Sequence, residues 1–141
     1  MIRLKRLLLF EYMQSPKEDI NAAIADVVKL GIINPINRRE VIIDDTVIVE
    51  ITNFDGHMWM NSILSMDRHT GKASEVMKQI CDIADNHNVG MALEAKAFGA
   101  NNTKDKLTTS QLVNWYRKFG FKPIGYGTME RVPSNMKGIN I

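Results

Sequence analysis

The run Arg68-His69-Thr70-Gly71-Lys72-Ala73-Ser74 brings cationic, hydroxyl and small side chains together within one short stretch. An extended, apolar-rich stretch, Met58 to Met66, leads into it, and a helical stretch, Ser74 to Asn86, leads out. A strand-to-helix joint of this kind leaves unpaired N–H groups and partial positive charge at the helix N-terminus, which makes it an anion site. The small residues suit a place where backbone must come close to a ligand. The alternative is an ordinary tight turn, since many such joints carry a glycine.

Rival chemistries fail on residue count and spacing. A nucleotide-binding P-loop needs another glycine five residues before Gly71, where Met66 stands, and Ser or Thr where Ala73 stands. A zinc site lacks ligands, because Cys81 is the lone cysteine and His57, His69 and His87 are not spaced as a pair on one helix. Zinc-dependent deamination lacks its cysteine pair for the same reason. Cys81 reads as a small core filler.

Composition sets the frame. A length of 141 residues suits one domain with one core, 1–141, ending in a tail from Pro133 to Ile141. A formal charge of +2 does not argue for nucleic acid, and Arg3, Lys5, Arg6, Arg38 and Arg39 are scattered as on a solvated surface. No apolar run reaches the length of a membrane span. Basic residues precede the apolar patch Leu7 to Phe10, but Glu11 follows with no small-residue cleavage site, so no signal peptide is expected. With a single cysteine the expected compartment is the reducing cytoplasm.

The elements that must position the joint follow in order. Leu4 to Phe10 reads as a first strand. Ser15-Pro16-Lys17-Glu18 reads as a helix start with Ser15 as cap and Glu18 completing a capping box. Ile20, Ala23, Ile24, Val27 and Leu30 share one face of that helix, and Gly31 is its natural stop. Ile32 to Arg38 reads as a loop or a short broken helix around Pro35. Arg39 to Ile43, Thr46 to Asn53 and His57 to Met66 read as successive antiparallel strands, with turns at Asp44-Asp45 and at Asn53 to Gly56. In the main helix Val76, Met77, Ile80, Ile83 and Ala84 should face the sheet, and the helix should end near Asn86 to Asn88. Val89 to Phe98 is a strand and Gly99 to Asp105 a polar loop. Thr108 and Gln111 are spaced as a capping box for a last helix with Leu112, Trp115 and Phe119 on one face and Gly120 at its end. Phe121 to Arg131 supplies a hairpin broken near Gly125 or Gly127. The expected fold is α/β with a mixed sheet, in the order β-α-β-β-β-α-β-α-β-β.

Two segments then agree on a family. Arg68, Gly71 and Ala73 form R-x-x-G-x-A, which resembles the pyrophosphate-binding signature of the GNAT acyl-CoA N-acyltransferases. Leu112-Val113-Asn114-Trp115-Tyr116-Arg117-Lys118-Phe119-Gly120-Phe121 is similar to the family's late helix-to-strand segment. The resemblance covers residues 46 to 133, and the N-terminal third fits by element order alone. It implies a mostly antiparallel central sheet flanked by helices, with the sheet splayed after the strand that precedes the joint.

The activity it implies is transfer of an acetyl group from acetyl-CoA, as co-substrate, to a primary amine of a small molecule or protein, with no metal. The amides of His69, Thr70, Gly71, Lys72, Ala73 and Ser74 would cradle the pyrophosphate, with charge added by Arg68 and Lys72. A large residue at 71 or 73 would block that approach. Ile63, Leu64 and Ser65 would pair their backbone with the pantetheine arm. Thr109 or Ser110 stands in the region where family members often carry a cofactor-contacting Asn. Tyr116 would protonate the leaving thiolate, although at helical spacing from Leu112 it could equally be a packing residue. The amine must lose a proton, and Glu50, mid-strand among β-branched residues, is the first candidate base, ahead of His57 and Glu94. Small stand-alone members of the family occur in bacteria and their phages, and homodimers are common among them. The alternative from another class is a non-catalytic GNAT-like module that binds CoA or a protein.

Overall fold

Asp55 and Gly56 close the long hairpin at the centre of the sheet. Both have positive φ, 54° and 74°, the mirror-image turn whose twist matches paired strands and which favours Asp-Gly. The computed structural model describes residues 15–66, 71–95 and 108–134. The expected first strand Leu4–Phe10, the joint residues Arg68, His69 and Thr70, the loop Gly99–Asp105 and the tail beyond Ser134 lie outside the described residues.

The described elements are α1 (Lys17–Val28), β1 (Ile32–Ile33), β2 (Glu40–Ile43), β3 (Val47–Phe54), β4 (His57–Ser65), α2 (Lys72–Asn86), β5 (Met91–Glu94), α3 (Thr109–Arg117), β6 (Lys122–Gly125) and β7 (Thr128–Arg131). The strands form one seven-stranded sheet in the order β1-β2-β3-β4-β5-β7-β6. Only β4 and β5 run parallel; the other pairs are antiparallel. This mixed α/β architecture is compatible with a GNAT-like fold.

One face of the sheet carries the core. Val41, Ile43, Val47, Val49, Met58, Met60, Met91, Leu93 and Met129 are buried there with Ile20, Ala23 and Val27 of α1 and Val76, Met77, Ile80, Cys81 and Ala84 of α2. The strand alternation and the helical spacing thus both point inward, as their periods require. By register, Glu40, Glu50 and Ser62 form a cross-strand row on the opposite face.

Three local expectations are corrected. Ser15 does not cap α1: Pro16 is the N-cap and no side chain closes the helix start, while the Ser15 hydroxyl accepts the Gly90 N–H at 3.1 Å. With Pro16 outside the first turn, the serine lies one residue too early for a capping box and ties α1 to the start of β5 instead. Gly31 is not the helix stop, since α1 ends at Val28 with Lys29 as C-cap. A Cβ on Gly31 would stand 2.1 Å from the Ile42 carbonyl oxygen, so glycine is needed for the close pass over β2. Finally, the loop expected from Ile32 holds a short edge strand, with Ile32 opposite Ile42 and Ile33 opposite Val41.

The polar anchor of the fold is Arg131, which is 5% exposed. Its guanidinium donates to both Asp85 oxygens at 2.8 and 2.9 Å and to the Phe119 carbonyl at 2.7 Å. Burial alone would raise the Asp85 carboxyl, but hydrogen bonds from Arg131 and the Ser134 amide, with the guanidinium charge, outweigh it and hold the group below its usual range. Asp85→Asn is therefore expected to destabilise the fold by about 3 kcal/mol, because it leaves a buried cation uncompensated. The folded-state pKa lies below the unfolded one, so this contribution is full above pH ~4 and fades as pH falls through the folded value. Urea denaturation of both proteins from neutral to acid pH checks this; the gap between them should narrow on acidification, and a gap independent of pH would contradict it.

Candidate functional site

A change of parity in β4 builds the site. Glu50 of β3 pairs with Ser62, but the next residue, Ile51, pairs with Met60, so Asn61 is an extra residue on β4. Such a bulge bends its strand and sharpens the local twist. The parallel ladder between β4 and β5 runs only from Met58 opposite Met91 to Met60 opposite Leu93, whereas β4 continues to Ser65. Beyond the bulge β4 keeps β3 on one side through Ser65 opposite Val47, and β5 turns to β7, with the Ala95 N–H donating to the Gly127 carbonyl at 2.8 Å. The strands part at the bulge, and Ile63, Leu64 and Ser65 line the parted side. Ile63 packs against the core, Leu64 is exposed and Ser65 is half-buried.

The helix that follows begins at this end of β4. Gly71 is its N-cap, with φ 74° and ψ 8°, and no side chain caps the first-turn amides. A Cβ at Gly71 would meet nothing within 4 Å among the described residues. The left-handed backbone, rather than contact with the protein, is what calls for glycine here. By contrast α3 is sealed at its start: the Thr108 hydroxyl accepts the Gln111 N–H at 3.2 Å and the Gln111 side chain accepts the Thr108 N–H at 2.8 Å. The open start of α2 therefore presents the amides of Lys72, Ala73 and Ser74. Lys72 is half-exposed and sits 3.4 Å from Glu75, a surface pair of small worth that a stronger anion can displace. The helix starts two residues before the expected Ser74, because the left-handed Gly71 already turns the chain.

The late helix reaches this start directly. The Trp115 indole N–H donates to the Ser74 hydroxyl at 3.2 Å, so α3 and the first turn of α2 are in contact. Thr109 lies exposed in the first turn of α3. Tyr116, next to Trp115, is 8% exposed and belongs to the core cluster. Its ring meets those of Trp115 and Phe121 edge-on at 5.2 and 5.8 Å. Burial pushes its phenol up to about 12, so the hydroxyl stays protonated across the physiological range.

Glu50 is elsewhere. It lies on the sheet face opposite the core, where the Asn61 side-chain amide donates to its carboxylate at 2.8 Å and accepts from the Thr52 hydroxyl at 3.1 Å. The bulged residue thus holds Glu50 in place, a contact the reading of the sequence missed. Of the other candidate bases, His57 is buried and its Nδ1–H donates to the Asp55 carbonyl at 2.8 Å, which makes it part of the β3–β4 turn. Glu94 is exposed at the end of β5, on the strand that parts from β4. No group of three or more His, Cys, Asp or Glu side chains arranged for a metal occurs among the described residues.

No protein-family model matches the chain, and no curated protein does. It is similar to the solved structure of the anti-CRISPR protein AcrVA5, with a TM-score of 0.47 and 13% sequence identity, over 61% of this chain and 90% of that chain.

Proposed function

We propose that the chain is an N-acetyltransferase that moves an acetyl group from acetyl-CoA to a primary amine of a small molecule or protein by direct attack. The observation that carries this reading is the parting of β4 from β5 at Asn61, directly before the uncapped N-terminus of α2. An extended pantetheine arm can add to the exposed edge at Ile63, Leu64 and Ser65 as a strand would. The pyrophosphate then meets the amides of Lys72, Ala73 and Ser74, with Arg68, His69 and Thr70 preceding them in the chain. Thr109, at the start of the neighbouring helix, is a further cofactor contact in this reading.

The amine nitrogen attacks the thioester carbonyl carbon, and the resulting tetrahedral intermediate expels the CoA thiolate as the C–S bond breaks. Tyr116 donates its proton to the sulfur and is reprotonated from solvent. The proton lost by the amine goes to Glu50, directly or through water, and from there to solvent. A carboxylate fixed by Asn61 beside the bulge suits that role. The second reading is a GNAT-like module that binds CoA or a protein without catalysis. The burial of Tyr116 in the core favours it, because packing alone accounts for the ring.

Binding is tested first. Arg68→Glu, or Gly71 to a bulky residue, is expected to weaken acetyl-CoA binding by about 1–3 kcal/mol in calorimetry on folded protein. Unchanged affinity in both would remove the cofactor from this joint.

Glu50→Gln should lower turnover about 10²-fold with acetyl-CoA affinity intact. A rate within a factor of about two of the parent would transfer the role of base to Glu94 or to an amine that arrives neutral.

Tyr116→Phe decides between the two readings. It keeps the ring contacts with Trp115 and Phe121, so stability should change by no more than about 1 kcal/mol. Turnover should fall roughly 10²-fold as thiolate protonation is left to water. Steady-state kinetics with free-thiol detection, alongside thermal melts, measures both. Equal turnover would leave Tyr116 a packing residue, and tight CoA binding without transfer to any amine would support the binding module.

A further inference from the structure

The chain closes two hairpins with the same turn and different residues. At the β3–β4 hairpin, Phe54 pairs with His57 and the intervening Asp55 and Gly56 have φ of 54° and 74°. At the β6–β7 hairpin, Gly125 pairs with Thr128 and the intervening Tyr126 and Gly127 have φ of 54° and 79°. The first of these positions favours Asn, Asp or Gly, whose backbone tolerates the left-handed region. Asp55 meets that preference and Tyr126 does not. A bulky residue held at positive φ is a strained choice.

Nor does packing explain the tyrosine. Tyr126 is fully exposed, at 104% of its reference accessibility, so its ring contributes no burial to the fold. The residue therefore opposes the turn it occupies and places an aromatic face wholly in water. Strain of this kind points to a contact made with something outside the chain.

The hairpin tip sits beside the parted strands. Gly127 accepts the Ala95 N–H at the end of β5, and Thr128 pairs with Glu94, one residue beyond the last β4–β5 pair, Met60 with Leu93. Glu94 is exposed at that point, so a carboxylate and an aromatic ring meet at the rim of the opening. That combination recognises an ammonium group, which the ring face attracts through its quadrupole and the carboxylate through its charge. The attacking amine must be neutral and must reach the thioester between the strands. An ammonium at the rim is accordingly a second charge on the same acceptor.

We infer that Tyr126 is a specificity-determining residue whose ring holds the distal ammonium of a diamine acceptor at the rim of the β4–β5 opening, an inference that rests on the acyl-transfer reading for the fate of the other amine. Tyr126→Phe should keep the contact and Tyr126→Asn should abolish it while relaxing the turn.

The probes are 1,4-diaminobutane and n-butylamine, titrated calorimetrically into wild type, Tyr126→Phe and Tyr126→Asn with CoA bound, alongside thermal melts and acetyl-transfer assays. Diaminobutane should bind wild type and the Phe variant alike and the Asn variant roughly fivefold more weakly. Butylamine should not distinguish the three, and the Asn variant should melt no lower than wild type. Equal diaminobutane affinity in wild type and the Asn variant overturns the inference, as does absence of diaminobutane binding to wild type. Acetyl transfer to diaminobutane with equal kcat/KM in wild type and the Asn variant also overturns it and leaves the acyltransferase reading standing. Binding that depends on residue 126 without transfer to either amine upholds the cation contact and defeats the catalytic reading.

Discussion

The Arg131 guanidinium is the point at which three separately built parts of the chain are held in one arrangement. It grips Asp85 near the end of α2, the Phe119 carbonyl after α3, and its own strand β7. Neither helix could adopt its position by burial alone, since apolar contact is non-directional. A bidentate carboxylate pair is directional. By fixing the end of α3 relative to α2, it sets where Trp115 meets Ser74, and with it the side of the candidate cofactor site formed by α3. The Ser134 amide adds a further donor to Asp85 at 2.8 Å, so the chain after β7 is drawn to the same carboxylate.

Much of this architecture was legible in the sequence because its signals are local. Asp44-Asp45 and Asp55-Gly56 name their own turns, the spacing of Val76, Met77, Ile80 and Ala84 names a helix face, and Thr108 with Gln111 names a cap. The bulge was legible in principle as well. Apolar residues of β4 occupy core positions at Met58 and Met60 and then at Ile63, an even-to-odd shift that a regular strand cannot make. The polar pair Asn61-Ser62 marks where the extra residue enters.

What was not legible depended on distance in the chain. Ser15 carries every local mark of a helix cap, yet its hydroxyl serves Gly90, which only the folded sheet brings near. Gly31 looks like a helix stop because stops favour glycine, but its requirement comes from the Ile42 carbonyl. The pairing of Arg131 with Asp85 spans 46 positions, and nothing in the spacing of two charged residues announces it. The anion site was read from Arg68 to Ser74, and the described part, Gly71 to Ser74, has the uncapped helix start that such a site needs. The partners that frame it, Trp115 and Asn61, came from the fold.

The positions of Tyr116 and Glu50 constrain any chemistry that uses both. Tyr116 packs within the helix-side core, whereas Glu50 projects from the other face of the sheet. A continuous β-sheet separates its two faces by a layer of paired backbone, and protons do not cross such a layer at hydrogen-bond range. The place where this sheet ceases to be continuous is the stretch after Met60 and Leu93, and the residue that ends the pairing, Asn61, is the one bonded to Glu50. The bulge therefore does two things at once. It opens a passage between the strands, and it turns a carboxylate toward that passage from the far side. A thioester lying in the opening would have the phenol on one side and the carboxylate on the other, which is the order in which a leaving group and an attacking amine must be served. This arrangement makes Asn61, rather than either ionisable residue, the position on which the catalytic reading turns.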